Sequence, residues 1–267
     1  MGHCREGFWR DRRQDGLLEI VCFGATVTAV IPRKRASSKR KRWCVLVPRF
    51  HPPIGKCWVV MVDHRHIGGA SASEYAVRAA YSERSVRVYQ AYRPGIALPA
   101  LKAGQFVPPF SMRRMTWIKP SFNWMIYRSN YATKPGQEIV LGIEITREGF
   151  EWALKNAVLS RFTPSIHSSS EKWKQLLAAK PVRIQWDPER DWRLQSISGV
   201  RAIQVGLSGE AVERYVKEWV VQIEDVTPKA RMVAIAAESG FPPSALPSTS
   251  ERLYPLDAVT VAAICPR

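Results

Sequence analysis

Gln137–Leu159 reads QEIVLGIEITREGFEWALKNAVL, and two patterns follow one another within it. QEIVLGIEI, over Gln137–Ile145, is dense in Ile and Val and carries the strongest strand signal in the chain. From Arg147 the period changes. Phe150, Ala153, Leu154, Ala157 and Val158 fall at i, i+3, i+4, i+7 and i+8, one apolar stripe, which predicts a helix over Arg147–Leu159. Working upstream, VRVYQAY at Val86–Tyr92 alternates and is read as a strand, and Pro94 opens a short helix that Gly104 ends. Arg114–Lys119 is a second strand, and Pro120 and Ser121 open a helix to about Ser129. Downstream, Val182–Trp186 is a strand left through a turn at Asp187–Arg190, and Ala202–Leu207 is another. Ser208 is expected to cap a helix whose face is Val212, Tyr215, Val216 and Trp219. Val220–Glu224 closes as a strand, a short helix follows Pro228, and the Pro- and Ser-rich tail after Gly240 wraps the surface. The fold class expected is α+β, with small, mostly antiparallel sheets and flanking helices.

The 267 residues are 46% hydrophobic, enough for one large core or two small ones. The net charge of +17 favours anionic partners: nucleic acid, nucleotides or an acidic membrane surface. That charge is unevenly spread. Residues 1–73 hold 14 Lys/Arg against 5 Asp/Glu, and the longer remainder holds 26 against 18. The expected organisation is a basic, largely irregular N-terminal extension over 1–73, a single domain over 74–255 and a tail over 256–267. In the extension, PRKRASSKRKR at Pro32–Arg42 reads either as a nuclear-localisation or nucleic-acid-binding patch or as a solvated arm. Short strands are expected nearby at Trp43–Val47 and Cys57–Val62. The apolar run Leu17–Ile31 is interrupted by Glu19, is too short to span a membrane, and has no small-x-small cleavage site after it. A cytoplasmic protein is therefore expected, with the basic run as a route to the nucleus. No CxxC pair occurs among the five cysteines, and none of the five His residues lies in a motif, so no metal is expected. Glycine-rich dinucleotide and P-loop signatures are absent.

Four segments carry a family resemblance: VYQAY at Val88–Tyr92, RMTWIKPSFNWMIYRS at Arg114–Ser129, QWDPERD at Gln185–Asp191 and IQVGLSGEAVERYVKEW at Ile203–Trp219. They resemble the family called domain of unknown function 4291, found in bacteria and fungi, over about Tyr75–Tyr254. The order of elements is more remotely similar to the ADP-ribosyltransferase fold, which implies split sheets around a cleft that binds NAD as a substrate. That resemblance makes Gln204 and Gln90 the catalytic candidates. It places Tyr92, Arg114, Trp117, Lys119, Ser121, Tyr127, Arg128 and Lys134 around the nucleotide. Lys119 and Arg128 would meet the diphosphate, and Gln204 the nicotinamide-side ribose. The sequence departs from that pattern at Gln90, where His or Arg is usual, and at Gln204, where Glu is usual. Both departures count against protein ADP-ribosylation, less so for a nucleic-acid or small-molecule acceptor.

The residues themselves allow a bland reading beside each sharp one. Gln204 can bind a ribose hydroxyl but brings no negative charge, and on an alternating strand it is equally an outward polar residue. Alternation sends Gln90 and Tyr92 one way and Tyr89 the other. It puts Trp117 and Lys119 with Met115 on one face, and Thr116 and Ile118 on the other. Asp187, Glu189, Arg190 and Asp191 read as acid–base groups or as a turn held by its own side chains. Two functions stay open: an NAD-binding ADP-ribosyltransferase-like domain, and a nucleic-acid-binding or RNA-processing module without NAD chemistry. The second rests on the net charge and on aromatics interleaved with basic residues over Arg113–Tyr131.

Overall fold

The computed structural model describes Leu17–Cys22, Ala25–Val30 and residues 74–240, 243 and 246–266. The chain divides into two compact units, residues 1–64 and 65–267. In the first, β1 (Leu17–Cys22) and β2 (Ala25–Val30) form an antiparallel hairpin with Cys22 opposite Ala25. The basic run Pro32–Arg42 and the strands expected at Trp43–Val47 and Cys57–Val62 lie outside the described residues.

The second unit runs β3 (Arg78–Ala79), β4 (Ser85–Tyr92), α1 (Pro94–Ala103), β5 (Thr116–Ile118), α2 (Phe122–Ser129), β6 (Ile139–Thr146), α3 (Arg147–Lys155) and β7 (Ala157–Leu159). It continues through α4 (Ser170–Ala179), β8 (Val182–Arg190), β9 (Ser196–Leu207) and α5 (Glu210–Arg214), which passes into a π-helical turn, Tyr215–Trp219. β10 (Val220–Asp225), α6 (Thr227–Ser239), a 3₁₀ turn (Pro247–Ser250), β11 (Arg252–Leu253) and α7 (Ala258–Ile264) complete it. One sheet has the order β10-β6-β4 and is antiparallel throughout. Another has the order β5-β9-β8-β7, antiparallel except for the β7–β8 pair. β3 and β11 form a small antiparallel pair. The α+β class with small, mostly antiparallel sheets is thus observed.

The two larger sheets meet at one point. Tyr89 N–H donates to Lys119 O at 2.7 Å, and Lys119 N–H returns a bond to Tyr89 O at 3.1 Å. Alternation then builds a core on each face. Val88, Leu141, Ile143, Ile118, Val205 and Ile184 face a core completed by Phe150 and Leu154 of α3 and by Tyr215 and Trp219. Tyr89 and Val140, one residue out of step, face a second core with Phe122, Met125 and Ile126 of α2 and Ala230 and Val233 of α6. Burying two faces rather than one explains why β6 reads as a continuous apolar run.

Several boundaries differ from the sequence reading, each for a physical reason. The helix predicted to Leu159 stops at Lys155, because Ala157–Leu159 pair in parallel with Val182–Ile184 at the sheet edge. Asp187–Arg190 is no turn but the end of β8. Pro188, which has no N–H, is tolerated where the register slips before Arg190. Ser208 does not cap α5. Its hydroxyl donates to Pro181 O at 2.8 Å, and the helix begins after Gly209, at φ 51°. The helix after Pro228 runs 13 residues, and the tail holds α7, whose Ile264 is buried. By contrast, Ser121 caps α2 as expected, accepting from Trp124 N–H at 3.1 Å, and Gly104 ends α1 in the left-handed region.

Candidate functional site

β5 carries the site because it separates two chemistries by alternation. Thr116 and Ile118 face the α3 side, and Trp117 and Lys119 face the α2 side. The register sets Ile118 opposite Val205 and Trp117 opposite Gly206, so Gln204 lies beside Lys119 on the same face. Gly206 leaves room there, since a Cβ would come within 2.9 Å of the Trp117 ring. On the next strand Gln185 stands opposite Gln204, with Asp187 two residues on.

Lys119 is buried, at 7% exposure, and its ammonium donates to Trp117 O at 3.2 Å. Among the described residues it makes no hydrogen bond or ion pair with a carboxylate. Burial, with Arg128 adding to it and Asp187 acting in the opposite sense, lowers its pKa to about 8. Arg128 is exposed and forms no ion pair among the described residues. Asp187 gathers two amides: Gln204 Nε2 donates to Oδ2, and Gln185 Nε2 donates to Oδ1 at 3.1 Å. With its Nε2 so held, Gln204 presents its carbonyl oxygen as an acceptor.

Gln90 and Tyr92 lie elsewhere. The Gln90 amide donates to Thr116 Oγ1 at 2.6 Å and to Tyr92 Oη at 2.9 Å, and its oxygen accepts from Tyr215 Oη at 2.8 Å. Tyr92 and Thr116 hydroxyls are also joined, at 2.8 Å. Burial raises the Tyr92 phenol to about 12 and the Tyr215 phenol well above its ordinary value. This closed network crosses the α3-side core, engages both amide protons of Gln90 and keeps the side chain buried. Gln90 and Gln204, expected around one cleft, therefore sit on opposite faces of the β4–β5–β9 surface, because β4 meets β5 at Tyr89 and its next residue points away.

The other expected site residues divide as well. Ser121 is engaged at both ends, since besides capping α2 its hydroxyl donates to Glu189 Oε1 at 2.8 Å. The α2 N-terminus is also closed by Glu251, which accepts from Phe122 N–H at 2.7 Å. Tyr127 lies under the Arg190 guanidinium, 3.9 Å from its ring centroid. Arg114 and Lys134 are exposed and form no ion pair among the described residues. Asp187 and Gln185 were not placed at the site because the sequence reading ends the strand over Val182–Trp186 in a turn at Asp187–Arg190. Had it been read as a strand, period two would have aligned Gln185 and Asp187 with Gln204. A cavity of about 530 Å³ lies away from this site, against Tyr81, Arg87, Glu144 and Lys229. Its charges are already matched: Arg87 pairs with Glu144 at 2.7 Å and with Glu224 at 3.0 Å, and Lys229 pairs with Glu224 at 2.8 Å.

Among the described residues no three His, Cys, Asp or Glu side chains come together as a metal site. No helix among them is long and apolar enough to cross a membrane. The family model described as Domain of unknown function (DUF4291) matches residues 76–254. No curated protein matches the chain. The chain belongs to this family of domains of unknown function.

Proposed function

We propose that this member of the family binds a diphosphate-bearing nucleotide on the Lys119 face, with NAD as the substrate of an ADP-ribosyltransferase-like domain. The observation that carries the reading is the buried Lys119 ammonium, which among the described residues forms no hydrogen bond or ion pair with a carboxylate, Asp187 acting on it only through space, and which feels a second cation, Arg128. A buried charge without a counterion is unfavourable unless a ligand supplies one. A diphosphate does so, with Lys119 and Arg128 on its oxygens and the half-buried Trp117 ring as an apolar wall.

The reacting end follows from Gln204 and Asp187. Breaking the bond between nicotinamide and ribose C1 releases neutral nicotinamide and leaves positive charge on the ribose, which an acceptor nucleophile then attacks with loss of a proton. Gln204 offers its carbonyl to a ribose hydroxyl. Asp187, bound to the Gln204 amide, brings the negative charge that a glutamine lacks. Gln90 acts at a distance in this reading, fixing Thr116 and Trp117 through its buried bonds.

Calorimetric titration of NAD into the full chain tests this, with nicotinamide release followed by chromatography. Lys119→Met should weaken binding by about 1.5–3 kcal/mol, the worth of a hydrogen bond to a charged group. Gln204→Ala should keep most of the affinity and suppress release. Absence of binding at millimolar NAD would overturn the proposal.

A further inference from the structure

We propose that the outer face of α2, with the adjoining end of β8, is a docking surface for single-stranded nucleic acid. The proposal is independent of the nucleotide reading. α2 buries Phe122, Met125 and Ile126 in the second core, which turns Tyr127 outward at 38% exposure. The Trp124 ring backs it, 5.0 Å away. The Arg190 guanidinium covers Tyr127 at 3.9 Å, and three residues beyond it Arg193 covers the Trp192 ring at 4.6 Å. The surface thus repeats one unit, an aromatic ring paired with a guanidinium.

Its guanidinium groups form no direct carboxylate pair among the described residues, although Glu189 lies within electrostatic reach of Arg190. Arg190 donates to Leu194 O at 3.3 Å and Arg193 to Gly240 O at 2.9 Å, and neither forms an ion pair among the described residues. The carboxylates nearby face the backbone or a hydroxyl. Glu189 accepts from Ser121 and from Arg190 N–H, and Asp191 accepts from the N–H groups of Arg193 and Gln195. Several cations elsewhere do pair: Arg87, Arg147, Arg201, Arg214 and Lys229 contact Glu side chains, whereas among the described residues Arg114, Arg128 and Lys134 do not. Unpaired cations beside stackable rings meet the two constant features of a single strand, a negative charge at each linkage and a π-face on each base. A duplex hides its base faces in the stack, so an exposed ring such as Tyr127 has no partner there.

Fluorescence anisotropy of the full chain with a labelled single strand of about 12 nucleotides, and with the matching duplex, tests the proposal. Tyr127→Ala should weaken single-strand binding by about 5- to 150-fold, the usual worth of one stacked base, and Tyr127→Phe should restore it. Duplex binding should not change with either. Arg193→Glu, at an exposed position, should lower the slope of log K against log salt by about 0.7 or more. If Tyr127→Ala and Arg193→Glu both bind the strand like the wild type, the contact lies elsewhere in the chain and the proposal fails. Failure to bind the strand at low salt overturns it as well. A chain that binds the strand but not NAD removes the nucleotide reading alone.

Discussion

Replacing Lys119 by Met should make the ligand-free protein more stable at neutral pH while weakening its affinity for diphosphate. The ammonium is lowered from its ordinary 10.5 to about 8, chiefly by burial. At about 1.4 kcal/mol per pH unit, that difference corresponds to about 3 kcal/mol spent on keeping a buried charge. Met has a similar length, fills the same space and needs no proton. The Trp117 carbonyl that Lys119 would leave still accepts from the Gln90 amide at 3.2 Å, so no buried acceptor is stranded. The pH dependence fixes the sign. Below about 8 both the folded and the unfolded chain hold the proton, and the folded state carries the full penalty. Between about 8 and 10.5 the folded site sheds the proton while the unfolded chain keeps it, so wild-type stability rises with pH. Urea denaturation at about pH 7 and about pH 10 should therefore show the Lys119→Met advantage shrinking at the higher pH. Pyrophosphate at about pH 7 should narrow the gap too, since it stabilises only the protein that binds it. A Lys119→Met protein less stable than wild type at neutral pH, or a gap unchanged between the two pH values, would refute the reasoning.

Three further outcomes follow from the packing. Leu154 is buried at 1% exposure in the α3 stripe, so Leu154→Ala should cost about 2–5 kcal/mol in a denaturant melt. At Gly149 a Cβ would stand 2.3 Å from Cγ of Trp219, a rigid ring, so Gly149→Ala should cost about 1–3 kcal/mol and alter tryptophan fluorescence. Burial, with Glu189 adding to it, pushes the Glu251 carboxyl from 4.5 up to about 8. A carboxyl raised in this way gives stability at acid pH that is lost as pH rises from about 4.5 to about 8. Glu251→Gln, which keeps an acceptor for Phe122 N–H, should flatten wild-type stability against pH over that window.

How much was legible in advance depends on which physics decides each residue. β4 and α2 were readable because local chemistry sets them: alternation in Val86–Tyr92, and the cap at Ser121. The end of α3 was not, because Ala157 and Val158 continue the helical stripe and only the edge of β8 draws them into a strand. The extent of β8 was hidden by Pro188, whose punctuation a register slip absorbs. For the site, Lys119 and Gln204 were brought together by the remote fold resemblance, and the register of their strands sets them side by side on one face. Gln90 was misplaced relative to them because facing depends on which residue of β4 meets β5, and no local signal marks Tyr89 as that residue. Asp187 became visible as a partner only once β8 was known to pass it.

The contact between Tyr89 and Lys119 gives the domain a mechanical character. Two antiparallel hydrogen bonds fasten one leaf of the structure to the other, and the same residue whose backbone forms the fastening carries the buried ammonium. Any separation of the leaves at this point would therefore displace the backbone that carries the cation. An anion gripping that side chain would damp the breathing of the joint, and the deuterium uptake of the Tyr89 and Lys119 amides would slow together. Those two protons, far apart in sequence and tied across one joint, are where occupancy of the site can be read without following any reaction.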